Sequence, residues 1–218
     1  MALSLRHEND LSYIERPCRL YDMFCIRQYF AKHSRCKEAL GPAPTPLYKA
    51  QSTFYLPRVN LTVTSNRLRL TGINGQVVEF YINKKTNKLL LAVEFKDFTA
   101  SGDEHYFRFH RRGKEPIVNM DPTFNVTYSS FVVTIIIPNL KDLRFEDSES
   151  FLYTNDPTPR MVVGPRAFSG TDPQVQETFV KYIENLSANQ KEGLLIEETF
   201  YIGSFIQYNI CDFGIELL

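Results

Sequence analysis

Residues 76–95 read "QVVEFYINKKTNKLLLAVEF", two apolar runs joined by the polar connection "NKKTN". In the first run Val78, Phe80 and Ile82 fall at alternate positions; in the second Leu89, Leu91, Val93 and Phe95 do. Side chains point to opposite faces of a strand with period two, so each set shares one face. A short polar connection joins antiparallel neighbours. The stretch is therefore a hairpin with one apolar face, and that face needs a covering layer.

The same texture extends to both sides. "TFYLPRVNLTV" and "RLRLTGI" precede the hairpin, and Gly72-Ile73-Asn74-Gly75 reads as a bend between strands rather than a phosphate loop. "EHYFRFH" and "PIVNM" flank "RRGK", and "NVTYSSFVVTIIIP" is long enough to cross a wide sheet. The strands are long for a compact sandwich. Between 141 and 170, "DLRF", "SFLYTND" and "RMVVG" are candidate short strands between turns marked by Pro157, Pro159, Gly164 and Gly170.

Helical periodicity appears only at the two ends. Met23, Ile26, Phe30 and His33 form one stripe of a short helix, closed off by "GPAPTPL" at 41–47. Near the C-terminus, Thr171 or Asp172 is an N-cap and Pro173 lies in the first turn. Val175, Phe179, Ile183 and Leu186 follow at helical spacing. Beyond Gly193 a second run places Leu195, Ile202, Phe205, Ile206, Ile210 and Phe213 on one broad face. If Gly193 only bends the helix, about 40 residues at ~1.5 Å each make a rod of ~60 Å. The fold class predicted is α+β: a long curved antiparallel β-sheet wrapped around a long C-terminal α-helix, with a short N-terminal disulfide-bearing helix. Residues 1–218 form a single domain, with 18–47 as the cysteine-bearing helix and Pro-rich connector, 48–170 as the meander and 171–218 as the helical segment. In such a fold an incompletely filled core is a tunnel for an apolar ligand. Its candidate lining is Phe200, Ile202, Phe205 and Ile206, between the helix of 194–213 and the concave face of the sheet.

Charge excludes several partners. Of 218 residues, 25 are Lys or Arg and 25 are Asp or Glu, so no global field draws the chain to nucleic acid or to an anionic bilayer. No apolar run approaches the ~20 residues needed to span a membrane. The basic group His110, Arg111, Arg112 and Lys114 reads as a solvated hairpin tip. His105 and His110 lie an odd number of residues apart on one strand, so they face opposite ways and cannot chelate together. No GxSxG, HExxH or cysteine-protease signature is present, so no catalytic residue, metal ligand or cofactor is assigned.

Three of the four cysteines, Cys18, Cys25 and Cys36, crowd the N-terminal region, and Cys211 lies near the other end. The spacing C-x6-C-x10-C lacks the paired short spacing of a zinc site, even with His33 near Cys36. Disulfides fit better, and four cysteines allow three connectivities. A Cys18–Cys25 bridge carries a condition: seven helical residues rise ~10.5 Å, beyond the ~7 Å that a disulfide spans between Cα atoms. The chain there must bend, with the helix beginning near Tyr21 or Asp22. Asn60 ("NLT"), Asn125 ("NVT") and Asn185 ("NLS") are candidate glycosylation sites. The start, "MALSLRHEND", has no apolar stretch of signal-peptide length, which fits an intracellular protein or a mature secreted one.

The C-x6-C pair followed by "IRQYF", the Pro-rich connector, "LPRVNLTVTSNRLRLTGINGQVVEFYIN" and the apolar C-terminal helix resemble the insect juvenile hormone binding protein and takeout family. The resemblance implies a curved sheet around a long helix, a hydrophobic tunnel, no catalysis and an extracellular location, with the signal peptide already removed. It also implies a Cys18–Cys25 disulfide, which leaves Cys36 to pair with Cys211. That second closure, around a loop of about 175 residues, is worth at most roughly 4 to 5 kcal/mol in the chain-entropy model. "RPCRLYDMFCIRQYFAKHSRC" and "YNICD" are more particular, and resemble the fibrohexamerin group of lepidopteran silk glycoproteins. This implies noncovalent association with fibroin heavy and light chains during secretion. The alternative it leaves is a carrier of a juvenile hormone-like terpenoid, a fatty acid or a pigment.

Overall fold

The structure, a computed structural model, describes residues 13–155 and 160–215; Pro157 and Pro159 lie outside them. Ten strands form one antiparallel sheet among the described residues. In chain order they are β1 (Ile14–Glu15), β3 (Leu47–Leu56), β4 (Leu61–Thr71), β5 (Gln76–Asn83), β6 (Lys88–Gly102), β7 (Glu104–Arg111), β8 (Lys114–Asp121), β9 (Phe124–Pro138), β10 (Glu149–Tyr153) and β11 (Arg160–Val163). A separate pair joins β2 (Lys37–Glu38) to β12 (Cys211–Asp212). The helices are α1 (Met23–His33), α2 (Pro173–Glu184), α3 (Leu186–Ile196) and α4 (Glu198–Asn209).

The hairpin of 76–95 is β5–β6, with Asn83 opposite Lys88 and Ile82 opposite Leu89. Its turn is set by Asn83, whose side-chain oxygen accepts the N–H groups of Lys85 and Thr86. One residue departs from simple alternation. Val77 pairs with Val93 but Glu79 pairs with Ala92, so Val78 is the extra residue of a bulge. Val77 joins Phe80 and Ile82 in the core, and Val78 is left partly exposed.

The other edge of β6 runs along β9 from Lys88↔Pro138 to Gly102↔Phe124. Leu89, Leu91, Val93 and Phe95 face inward, and after Asp97, at φ 48°, the inward set becomes Phe98 and Ala100. That change of phase lets β6 leave β5 and pair with β4 through Thr99↔Thr71 and Ser101↔Arg69. Gly72 lies at this crossing with φ 76°; a Cβ on it would sit 2.8 Å from both the Lys96 carbonyl oxygen and the Phe98 Cα. The sheet therefore has two halves sharing β4, β6 and β9. One half surrounds α4 and α1; the other, built on β3, β4 and β7, is covered by α2 and α3.

The N-terminal helix begins where the cysteine spacing requires. Tyr21 has φ 72°, and Asp22 caps α1 by accepting the Cys25 N–H at 3.0 Å. Cys18 and Cys25 are disulfide-bonded with their Cα atoms 5.6 Å apart, and Cys36 is bonded to Cys211, also at 5.6 Å. Ile26 and Phe30 face the core. The connector is held by Asn74, which accepts from the Ala43 N–H at 2.7 Å and donates to the Ala43 carbonyl at 3.0 Å.

The C-terminal segment differs from the rod expected of it. The helix is interrupted at Asn185 and at Glu197, while Gly193 sits inside α3. In α2 the core receives Val175, Thr178 and Tyr182, whereas Phe179 and Ile183 are exposed. In α3 it is Leu194 that is buried and Leu195 that faces out. Both faces of α2 carry apolar residues, so periodicity defines a stripe without fixing which stripe the sheet covers. Helix α4 is buried on nearly every side, from Phe200 through Ile206, as befits a helix enclosed by a sheet. "DLRF" contributes an isolated parallel bridge, Leu143 with Ser34, and its Phe145 opens a short 3-10 turn, Phe145–Asp147.

Two glycines give opposite expectations. Gly193→Ala would place a methyl group 3.6 Å from the Phe54 ring, an ordinary contact, and should stabilise the chain by about 0.5–1 kcal/mol. Gly72→Ala, at positive φ against backbone, should cost at least about 1–3 kcal/mol. Urea unfolding midpoints at unchanged m-value measure both.

Candidate functional site

Where the two halves of the sheet meet α3, the core is hollow. The cavity holds about 70 Å³ of room for the centres of water-sized molecules, which at ~10–15 Å³ per water is space for roughly five waters or for part of an apolar chain. Its walls are mostly apolar: Leu68 and Leu70 from β4, Phe98 from β6, Val126 from β9, Leu194 from α3 and Phe200 from α4. Arg67, at φ 52°, shifts the alternation of β4, so that Ser65 and Leu68 are both buried and both line the cavity.

One wall is polar. Asn189, Gln190, Gly193, Leu194 and Glu197 recur at helical spacing and line the hollow together. Asn189 is 2% exposed and Gln190 5% exposed. Asn189 Nδ2 donates to the Tyr182 carbonyl at 3.2 Å, which fixes the amide orientation and leaves Oδ1 with no hydrogen-bond partner in the protein. Both Oε1 and Nε2 of Gln190 likewise lack one. A buried polar group left unmet costs about 1–3 kcal/mol. At the end of α3 the Glu197 carboxylate accepts from Lys49 Nζ and from Ser52 Oγ, and Lys49 Nζ lies 4.2 Å from the centre of the Phe200 ring. The two formal charges thus neutralise each other. Burial pushes the phenols of Tyr182 and Tyr201 above their usual range, with Tyr128 and Glu197 adding to the effect at Tyr201, so both stay neutral.

Ser65 also touches His105, whose Nδ1 lies 2.8 Å from the Ser65 Oγ. Asp121 is opposite His105 in the β7–β8 ladder, but its oxygens accept the backbone N–H groups of Thr123, Arg166 and Ala167. The pair therefore lacks the carboxylate bond that orients an imidazole as a general base. His110 faces the other way and lies 2.7 Å from Thr62 Oγ1. Arg111 of the basic tip is not free: its guanidinium reaches Asp172 at 3.3 Å and the Glu115 carbonyl at 2.6 Å.

Of the four residues expected to line a tunnel, only Phe200 borders this cavity. Ile202 is packed in the core, and Phe205 meets Phe95 at 6.1 Å. Ile206 borders a much smaller recess with Phe145 and Phe213. Rings fill the centre of the sheet: Phe95 on Phe131 at 5.1 Å, Phe98 on Phe131 at 5.4 Å and Phe98 on Tyr201 at 4.9 Å. The polar lining of α3 was not singled out from sequence. The available signal was "SANQKEG", a polar break in a segment that otherwise must face a sheet.

Among the candidate glycosylation sites, Asn60 is exposed in the β3–β4 turn, where it accepts from Tyr55 and donates to the His110 carbonyl. Asn125 is exposed on β9, and Asn185 is half-buried between α2 and α3 with its amide donated to the Lys181 carbonyl. His33 is stacked on Tyr29 with ring centres 4.1 Å apart. Among the described residues no helix is long and apolar enough to cross a membrane.

A curved antiparallel sheet closed over a C-terminal helix, with α1 stapled beside it, defines a takeout-like fold. The crystal structure of Takeout 1 from Epiphyas postvittana matches with a TM-score of 0.55, covering 89% of this chain and 94% of that one at 14% identity. The Fibroin P25 family model matches residues 14–215, and the chain belongs to that family. It is also 25% identical over 133 residues to the fibrohexamerin of Galleria mellonella, a match that covers 55% of this chain and 61% of that relative's length.

Burial holds the His105 pKa below the usual imidazole range, against smaller opposing effects of a backbone bond at Gly102 and of the Asp121 and Asp103 carboxylates. The unfolded chain binds a proton near pH ~6.5 that the folded chain resists. Stability should therefore fall as pH drops below about 6.5 towards the depressed folded value, by up to about 1.4 kcal/mol per pH unit. Urea midpoints against pH should show this slope, and His105→Gln should flatten it.

Proposed function

We propose that this chain is a secreted, noncatalytic glycoprotein that associates with silk fibroin heavy and light chains. The observation that carries the reading is an apolar groove on the outer surface between β11 and α2. Phe179, Val180 and Ile183 are 40%, 53% and 51% exposed on α2, and Phe179 and Ile183 border the groove with Val163, Pro165 and Phe168. Large apolar side chains gathered in water mark a surface that meets a partner. The partner's identity is supported by membership of the Fibroin P25 family and by the likeness to a fibrohexamerin. Two disulfides and the accessible sequons at Asn60 and Asn125, with Asn185 as a third, suit secretion. Immobilised glycosylated protein should retain heavy and light fibroin chains from silk-gland extract, identified by immunoblot. Phe179→Asp with Ile183→Asp should reduce that retention about tenfold or more while leaving the melting temperature within a few degrees. Undiminished retention by the double variant would remove the groove from the interface, and no retention by the parent protein would remove fibroin as the partner.

A second reading is favoured by the cavity: an extracellular carrier of a small apolar molecule such as a terpenoid, a fatty acid or a pigment. Apolar walls of this kind bind by burial, at about 25 cal/mol per Å², with few polar groups to set orientation. Solvent extraction of protein purified from its natural source, followed by mass spectrometry, should release a stoichiometric apolar compound.

A further inference from the structure

We infer that Gln190 and Asn189 are the polar anchor of a site for an uncharged chain molecule whose single head group both donates and accepts hydrogen bonds, a long-chain alcohol or primary amide. The inference rests on the ligand-carrying reading and specifies its chemistry. Three atoms carry it. Asn189 Oδ1 and Gln190 Oε1 are acceptors and Gln190 Nε2 is a donor; all three are buried, and none has a hydrogen-bond partner in the protein. A hydroxyl can donate to one acceptor while accepting from Nε2, and a primary amide offers two N–H donors and one carbonyl, the complement of the whole set.

Charge narrows the class further. Lys49 and Glu197 are the charged residues that line the cavity, and they are bonded to each other. Ser52 takes the second Glu197 oxygen, and Tyr128 donates to the Gln190 backbone carbonyl at 3.0 Å. An incoming carboxylate would find no free cation among the described lining residues, and a cation would find no free carboxylate. The rest of the wall, Leu68, Leu70, Phe98, Val126 and Leu194, suits an aliphatic chain.

The test is displacement of the fluorescent probe N-phenyl-1-naphthylamine from the full chain by 1-dodecanol, dodecanamide, dodecane and dodecanoate, the last above its pKa. Gln190→Met keeps the side-chain length without the amide. The variant should bind dodecanol and dodecanamide about tenfold more weakly and dodecane as tightly or more tightly. Its ligand-free melting temperature should hold or rise, because no protein hydrogen bond is lost. In the parent protein dodecanoate should bind about tenfold more weakly than dodecanol. Equal dodecanol affinity in both proteins overturns the anchor, as does a parallel loss of dodecane or a lowered melting temperature. If neither the probe nor any chain compound binds the parent protein, the carrier reading itself fails, whereas binding insensitive to Gln190→Met removes the anchor alone.

Discussion

The ladder between β6 and β9 is the constraint on which the remaining structure depends. Its inward pairs, Leu89↔Ile137, Leu91↔Ile135, Val93↔Val133 and Phe95↔Phe131, stand directly opposite one another and are all buried. Cross-strand apolar pairs fix register, because a slip by one residue would turn every one of them to solvent. Both strands span 15 residues, about 50 Å at the usual rise. Over that length a sheet twists, and the phase changes at Asp97 and between Tyr128 and Phe131 bend this one further. The concave face so formed gives α4 its seat. A helix buried through Phe200, Tyr201, Ile202, Phe205 and Ile206 has no amphipathic face to offer water and would not stand apart from that sheet.

The two halves of the core then differ because the helices do. Helix α4 presents rings and branched chains, and Phe205 and Tyr201 interlock with Phe95, Phe98 and Phe131. Helix α3 presents Asn189, Gln190 and Gly193 to the same continuous sheet. The unmet amide atoms of Asn189 and Gln190 lie among Leu68, Leu70 and Val126, which offer them no hydrogen bond. The cavity thus combines an apolar sheet wall with a polar α3 wall. Apolar residues at 189 and 190 would remove three unmet polar atoms at once, a gain in stability that this sequence forgoes.

The elements set by local chemistry were legible in the sequence. Alternation marked the long strands, Asp172 is one of the two N-caps the sequence offered, and α1 begins next to Asp22, where the cysteine spacing placed its start. The span of a disulfide required a bend between Cys18 and Cys25, and the backbone has φ 72° at Tyr21. Features decided by tertiary contact were not legible. Val77 displaces Val78 because a bulge is a property of two strands, and Phe179 yields to Tyr182 because α2 is apolar on both faces. The partners of Glu197 are likewise set by tertiary contact. Its carboxylate is drawn to Lys49 and Ser52 on β3, partners more than a hundred residues away that no local pattern reveals. The polar lining of the cavity was not legible for the same reason, since it reads locally as a solvated helix face; of the residues named from sequence as lining, Phe200 borders this cavity.

Groove and cavity share a wall. Met161 and Tyr182 border both, and the Tyr182 hydroxyl donates to the Met161 sulfur at 3.2 Å across it. Tyr182 also supplies the carbonyl that orients the Asn189 amide. A displacement of Tyr182 by a groove partner would therefore reach the carbonyl that holds the Asn189 amide. Linkage makes any such effect reciprocal: the factor by which a groove partner changes affinity for the cavity's occupant equals the factor by which the occupant changes affinity for the partner. The proposed partner groove and the proposed ligand cavity are accordingly two sides of one wall, built from Met161 and Tyr182.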